Sequence, residues 1–335
     1  MGEALLYRHI VIKDIRVSLL SLLQRTLSTE RQPNGAPAGA WTRKITVTAQ
    51  PPPSGLNAAY HRYLRDVILL CPNLEFFCVG GRPESPYSCP EITEDILKAL
   101  PDHLRMCAWA NHKGLVQLRL FRHSCSFFSM LEHLRLRNIW GYRDEQVILT
   151  FPRLRSLSFA SWISGYCVDQ WDLPSLVWLE ISVESAVWLE ELDSFFLKHG
   201  KKLEFLQLVP GLYLPYIEIP LHFFRYFPLL SCFSVDPSWM RLSTIEESDK
   251  IPAVPYKNLT TLHILRLDPW RGPHDSCGEF VRLFLVAHQN LFPRLKVTSF
   301  TIQGEYIVVR MFYPGLCSGV KPTREELAKL GDGFD

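Results

Sequence analysis

Cys277 has the strongest claim to covalent chemistry in this chain. His274 and Asp275 stand just before it, near the start of a helix predicted over 278–289, where a helix N-terminus would favour a thiolate. A polar cap in an inserted loop accounts for the same three residues. The chain carries no Gly-x-Ser-x-Gly elbow, Walker loop, Gly-x-Gly-x-x-Gly turn or His-Glu-x-x-His helix. Metal ligands could be sought in Cys71, Cys78 and Cys89, or in His123 with Cys125, but neither set has the Cys-x-x-Cys pairing of structural zinc. No catalytic, cofactor-binding or metal residue is assigned, no cofactor is expected, and the chain reads as a non-enzyme.

The more useful chemistry lies in two rows of outward positions set by a repeated pattern. Apolar-x-x-apolar-x-apolar recurs as LEFFCV from Leu74, LRMCAW from Leu104, LVQLRL from Leu115, LEHLRL from Leu131 and LRSLSF from Leu154. It continues as LVWLEI from Leu176, LEFLQL from Leu203, LSCFSV from Leu230, LTTLHI from Leu259 and a degraded LKVTSF from Leu295. The last three positions alternate as a half-buried strand does. The residues before and after the fourth position then point away from the core. Stacked strands would align Arg119 with Arg135, Trp178 with Phe205, and Glu180 with Gln207. Aromatic residues and arginines are the types that anchor protein interfaces. These six residues form the candidate protein-binding strip, with the arginines steering an acidic partner.

Such short strands cannot each bury a face alone, so they must stack into a continuous core. The chain is therefore expected to be α/β: an irregular leucine-rich-repeat-like solenoid with a curved parallel sheet and helices on its outer face. Successive leading leucines are 30, 11, 16, 23, 22, 27, 27, 29 and 36 residues apart. Leucine-rich repeats run roughly 20 to 29 residues, so the interval of 11 implies a tight turn between neighbouring strands and that of 36 an insertion. No asparagine follows the strands where regular repeats build an Asn ladder.

One domain is expected over 1–335, with an N-terminal cap at 1–70, repeats at 71–303 and a C-terminal cap at 304–335. Strands are predicted at 5–12, around Ile45 and Val47, and at 306–312. Helices are predicted from Asp14 to about Leu27, and at 56–70, 93–99, 185–198, 221–226, 278–289 and 324–330, with a loop over 28–40. Pro72, Pro152, Pro174, Pro228 and Pro293 mark the turns into repeats.

Composition narrows the function class. A hydrophobic fraction of 47% over 335 residues can supply a large core, while a net charge of +2 is too weak to imply nucleic acid. No apolar run approaches the roughly 18 residues of a membrane span, and no signal-peptide architecture is present. Nine cysteines, an odd number without framework spacing, suit a reducing compartment, so the cytoplasm or nucleus is expected. The Asn258-Leu259-Thr260 sequon is read as part of a strand, and the chain as a monomer.

LLYRHIVI at 5–12, the leucine-rich helix after it and WTRKITV at 41–47 resemble the region that follows the F-box in fungal F-box proteins. Those proteins continue with CPNLE-type and FPRLRSL-type repeats, as this chain does from Cys71 and Phe151. The resemblance implies a substrate-recognition region of a ubiquitin-ligase receptor, in which the F-box recruits the ligase adaptor and the repeats select the protein to be modified. An F-box would precede LLYRHIVI, where only Met1 to Ala4 stand. Adaptor binding is therefore expected only with an upstream F-box. The alternatives are a diverged or truncated member without a ligase role, and a cysteine-dependent enzyme acting through Cys277.

Overall fold

Each repeat begins with a four-residue turn closed by its leading leucine. The leucine N–H donates to the carbonyl three residues back: Leu74 to Cys71 at 3.1 Å, Leu104 to Pro101 at 3.0 Å, Leu203 to Gly200 at 3.1 Å and Leu230 to Phe227 at 3.1 Å. The second position of such a turn favours proline, whose φ is already set and whose missing N–H is not needed there. Pro72, Pro152, Pro174, Pro228 and Pro293 all occupy it. The prolines thus build the turn itself.

The computed structural model describes residues 8–13, 16–29, 37–48, 57–80, 93–110, 116–117, 127–137, 139–140, 148–160, 168–183, 192–210, 217–219, 221–236, 240–242, 255–266, 291–295, 297–302 and 305–307. The chain divides into two compact units, Met1–Leu176 and Val177–Asp335. In the first, the strands are β1 (His9–Ile12), β2 (Lys44–Val47), β3 (Phe76–Gly80), β4 (Met106–Ala110), β5 (Val116–Gln117), β6 (His133–Arg137), β7 (Ile139–Trp140) and β8 (Ser156–Ala160). Six of them form a parallel sheet in the order β1-β2-β3-β4-β6-β8. Helices α1 (Val17–Ser28), α2 (Asn57–Leu69) and α3 (Glu94–Ala99) follow the first three strands.

The second unit holds β9 (Trp178–Val183), β10 (Phe205–Pro210), β11 (Ile217–Ile219), β12 (Cys232–Val235), β13 (Met240–Leu242), β14 (Thr261–Arg266), β15 (Val297–Ile302) and β16 (Glu305–Ile307), with helix α4 (Asp193–His199). Here β9-β10-β12-β14-β15 pair in parallel, and β16 closes the edge antiparallel to β15. Both units are α/β, as expected, with few helices among the described residues. Of the predicted closing strand at 306–312, β16 is the part that lies within the described residues.

Strands β1, β2 and β9 bury alternate residues, whereas β12 buries its last three. In the first unit the buried positions form three rows. One runs Leu74, Leu104, Leu131 and Leu154; the next Ile45, Phe77, Cys107, Leu134 and Leu157; the third Val47, Val79, Trp109, Leu136 and Phe159. In the second unit Leu203, Leu230 and Leu259 lead, followed by Leu179, Leu206, Phe233 and Leu262, then Ile181, Leu208 and Val235. Connectors pack on these rows through rings: Phe224, from a 3-10 turn at Leu221–Tyr226, meets Phe233 at 5.2 Å.

Four expectations change. Strand β4 pairs directly with β6, so the described part of LVQLRL, Val116–Gln117, is not a strand of the main sheet. Val116–Gln117 pairs instead with Ile139–Trp140 in a separate two-stranded ladder. The pattern matched because a short apolar alternation fits any strand, main or minor. Without Leu115 the anomalous interval disappears, since Leu104 to Leu131 is an ordinary 27 residues. Second, the predicted loop over 28–40 runs into a 3-10 turn at Ala38–Trp41 with Ala38 and Gly39 buried, where a Cβ on Gly39 would lie 2.1 Å from the Leu70 carbonyl oxygen. Third, Asn258 sits in an exposed turn before β14 and donates its side-chain amide to Pro228 O at 2.7 Å. Fourth, the helix expected over 185–198 appears as α4 at Asp193–His199, while residues 184–191 lie outside the described residues. Asp14 and the helices predicted at 278–289 and 324–330 lie outside the described residues.

Truncating one leucine of a buried row removes transfer energy and leaves a cavity that its neighbours only partly fill. Leu179 is fully buried, and Leu179→Ala is expected to cost about 2 to 5 kcal/mol, measured by urea unfolding. A loss below about 1 kcal/mol would place Leu179 outside the core.

Candidate protein-binding face

Side chains opposite the buried rows form the outward face of each sheet. In the first unit the register aligns His9, Lys44, Phe76, Met106, His133 and Ser156 in one row, and Val11, Thr46, Cys78, Ala108, Arg135 and Ser158 in the other. His9 Nε2 meets Thr46 Oγ1 at 2.9 Å across these rows. Lys44 and Arg135 are both close enough to Cys78 to oppose the effect of burial, which nevertheless holds its thiol above the ordinary value. The outward face here carries cations and no carboxylate at the described row positions. The first two strands extend the rows beyond the sequence reading, which began them at Phe76. Their alternation in HIVI and KITV was the available signal, but neither segment has the leading leucine.

In the second unit the register partners are Trp178 with Phe205, Glu180 with Gln207, Cys232 with Thr261 and Ser234 with His263. The Trp178 and Phe205 rings stand 5.2 Å apart with planes only 13° from parallel. Both are half-buried, as are Glu180 and Gln207. Further along the face closes: Ser234, Asp236 and His263 are all buried. Burial of the imidazole holds His263 below the ordinary histidine value.

Four of the six expected strip residues thus come together: Trp178, Glu180, Phe205 and Gln207. Arg135 belongs to the first unit, and Arg119 lies outside the described residues, after a segment that does not join the main sheet. Arg119 entered the strip by counting LVQLRL as a repeat. In the row pattern of the second unit the carboxylate of Glu180 is the charged group nearest the aromatic pair.

Other chemistry is weakly supported in the described residues. Cys71, Cys78, Cys107 and Cys232 are free thiols. Burial pushes Cys71 and Cys232 to about 11 and Cys107 to about 12, so these three are protonated and poor nucleophiles at neutral pH. Among the described residues no three His, Cys, Asp or Glu side chains gather as a metal site. Cys277, His274, Asp275, Cys89, His123 and Cys125 lie outside them. No helix of the described residues is long and apolar enough to cross a membrane.

No family model matches the sequence. No curated protein matches it either. Among solved structures, a protein from Bacteroides fragilis is similar over 75% of this chain and 70% of that chain, at 12% identity and a TM-score of 0.36. That likeness is too slight to carry an argument.

Two measurements probe the closed end of the face. The Ser234 hydroxyl is buried without a hydrogen-bond partner, and leaving such a group unpaired costs about 1 to 3 kcal/mol. Ser234→Ala is therefore expected to match or exceed the wild-type thermal midpoint; a clear drop would show a hydrogen bond at that hydroxyl. For His263, the unfolded chain takes up the proton at a higher pH than the folded one. Stability should fall as pH drops through about 6.5 toward the lower folded value. Urea midpoints for wild type and His263→Gln should converge as pH falls across that window, and a constant gap would remove His263 as the cause.

Proposed function

We propose that this chain is a non-enzymatic protein-interaction module, a leucine-rich-repeat-like solenoid related to the substrate-recognition region of F-box ubiquitin-ligase receptors. The observation that carries the reading is the Trp178–Phe205 pair, stacked and half-exposed on a sheet face whose opposite side is a closed core. Large aromatic rings left partly wet on a rigid scaffold are poor for solubility and good as interface anchors. The parallel register supports it, since each repeat adds one residue to each outward row and builds a wide recognition surface from short strands. The partner is a protein, not a nucleic acid. Recruitment to a cullin ligase is expected to require an F-box joined N-terminal to this region, and the scaffold itself acts as a monomer in the cytoplasm or nucleus.

The test places a photo-crosslinking p-benzoylphenylalanine at position 205 and irradiates the chain in extract of its source cells. Crosslinks to a discrete protein are expected, absent when the probe sits at the exposed turn residue Leu229 and reduced at least tenfold by Trp178→Ala. Losing the ring pair should itself cost only about 0.5 to 1.5 kcal/mol beyond the area lost. Crosslinks confined to the chain itself, or unfolding by Trp178→Ala, would assign the pair to the core and end the reading.

A further inference from the structure

We draw no further inference here: the strongest candidate, the cluster of Lys44 and Arg135 about the half-buried Cys78 thiol on the outward face of the first unit, carries none, because burial holds that thiol above its ordinary value and nothing in the structure commits the two cations to one ligand.

Discussion

One backbone interaction, repeated at the start of most of the described main strands, sets everything that follows. The carbonyl of the residue just after a leading leucine accepts two N–H groups from the next repeat. Glu75 O takes Arg105 N at 2.9 Å and Met106 N at 3.0 Å; Glu132 O takes Arg155 N and Ser156 N; Glu204 O takes Ser231 N and Cys232 N. A forked acceptor fixes both the register and the direction of the incoming strand. A slip of one residue would turn every side chain to the wrong face. The leucines form rows only because each repeat starts from the same bond.

The flanking side chains reinforce this joint, although few of them could hold it alone. Arg105 grips Glu132 with two bonds, Nε to Oε1 at 3.1 Å and Nη2 to Oε2 at 2.8 Å, and Arg43 reaches Glu75 Oε1 at 3.0 Å. These pairs are largely solvated, so each adds little stability. Their position matters more: in the first unit arginine and glutamate alternate at the same site of successive strands, from Arg43 to Arg155, which favours the in-order pairing over a skipped one. Asn73, Ser175 and Asn258 donate from their turns to Ala40 O, Pro152 O and Pro228 O of the preceding connection, each at 2.7 Å. They do before the strands part of what an Asn ladder would do after them.

The buried rows were legible because leucine spacing and strand alternation are local signals that this fold obeys. Leu134, Leu157, Leu179 and Leu206 lie where the pattern puts them. LVQLRL misled because the pattern describes a strand, while membership in the main sheet depends on the forked carbonyl, which sequence does not mark. Periodicity consequently does not tell the small ladder β5–β7 from the main sheet. Close approaches are equally silent. A Cβ on Gly200 would meet Tyr226 O at 2.5 Å, yet Gly200 lies in an ordinary helical conformation. Its need for glycine comes from a residue 26 positions away. Thr93 was the readable exception, since its hydroxyl accepts the Ile96 N–H at 3.4 Å as a helix cap should.

Part of the candidate face was legible for the same reason. Trp178 and Phe205 are neighbours because consecutive repeats place them at one position, and the ring stack follows from strands about 4.8 Å apart. Glu180 was legible with them because it stands two residues beyond Trp178 on the same strand, whereas Arg119 was drawn in by counting LVQLRL as a repeat. Burial along the face was beyond reach. Half-exposed Gln207 and fully buried Ser234 are register partners on adjacent strands, at equivalent positions of two repeats. The difference between them is made by whatever packs over β12, a tertiary fact that no repeat position encodes. A scaffold of identical joints therefore presents an unequal surface, open at the aromatic pair and shut at the histidine, and that inequality gives a repetitive sheet a particular place to bind.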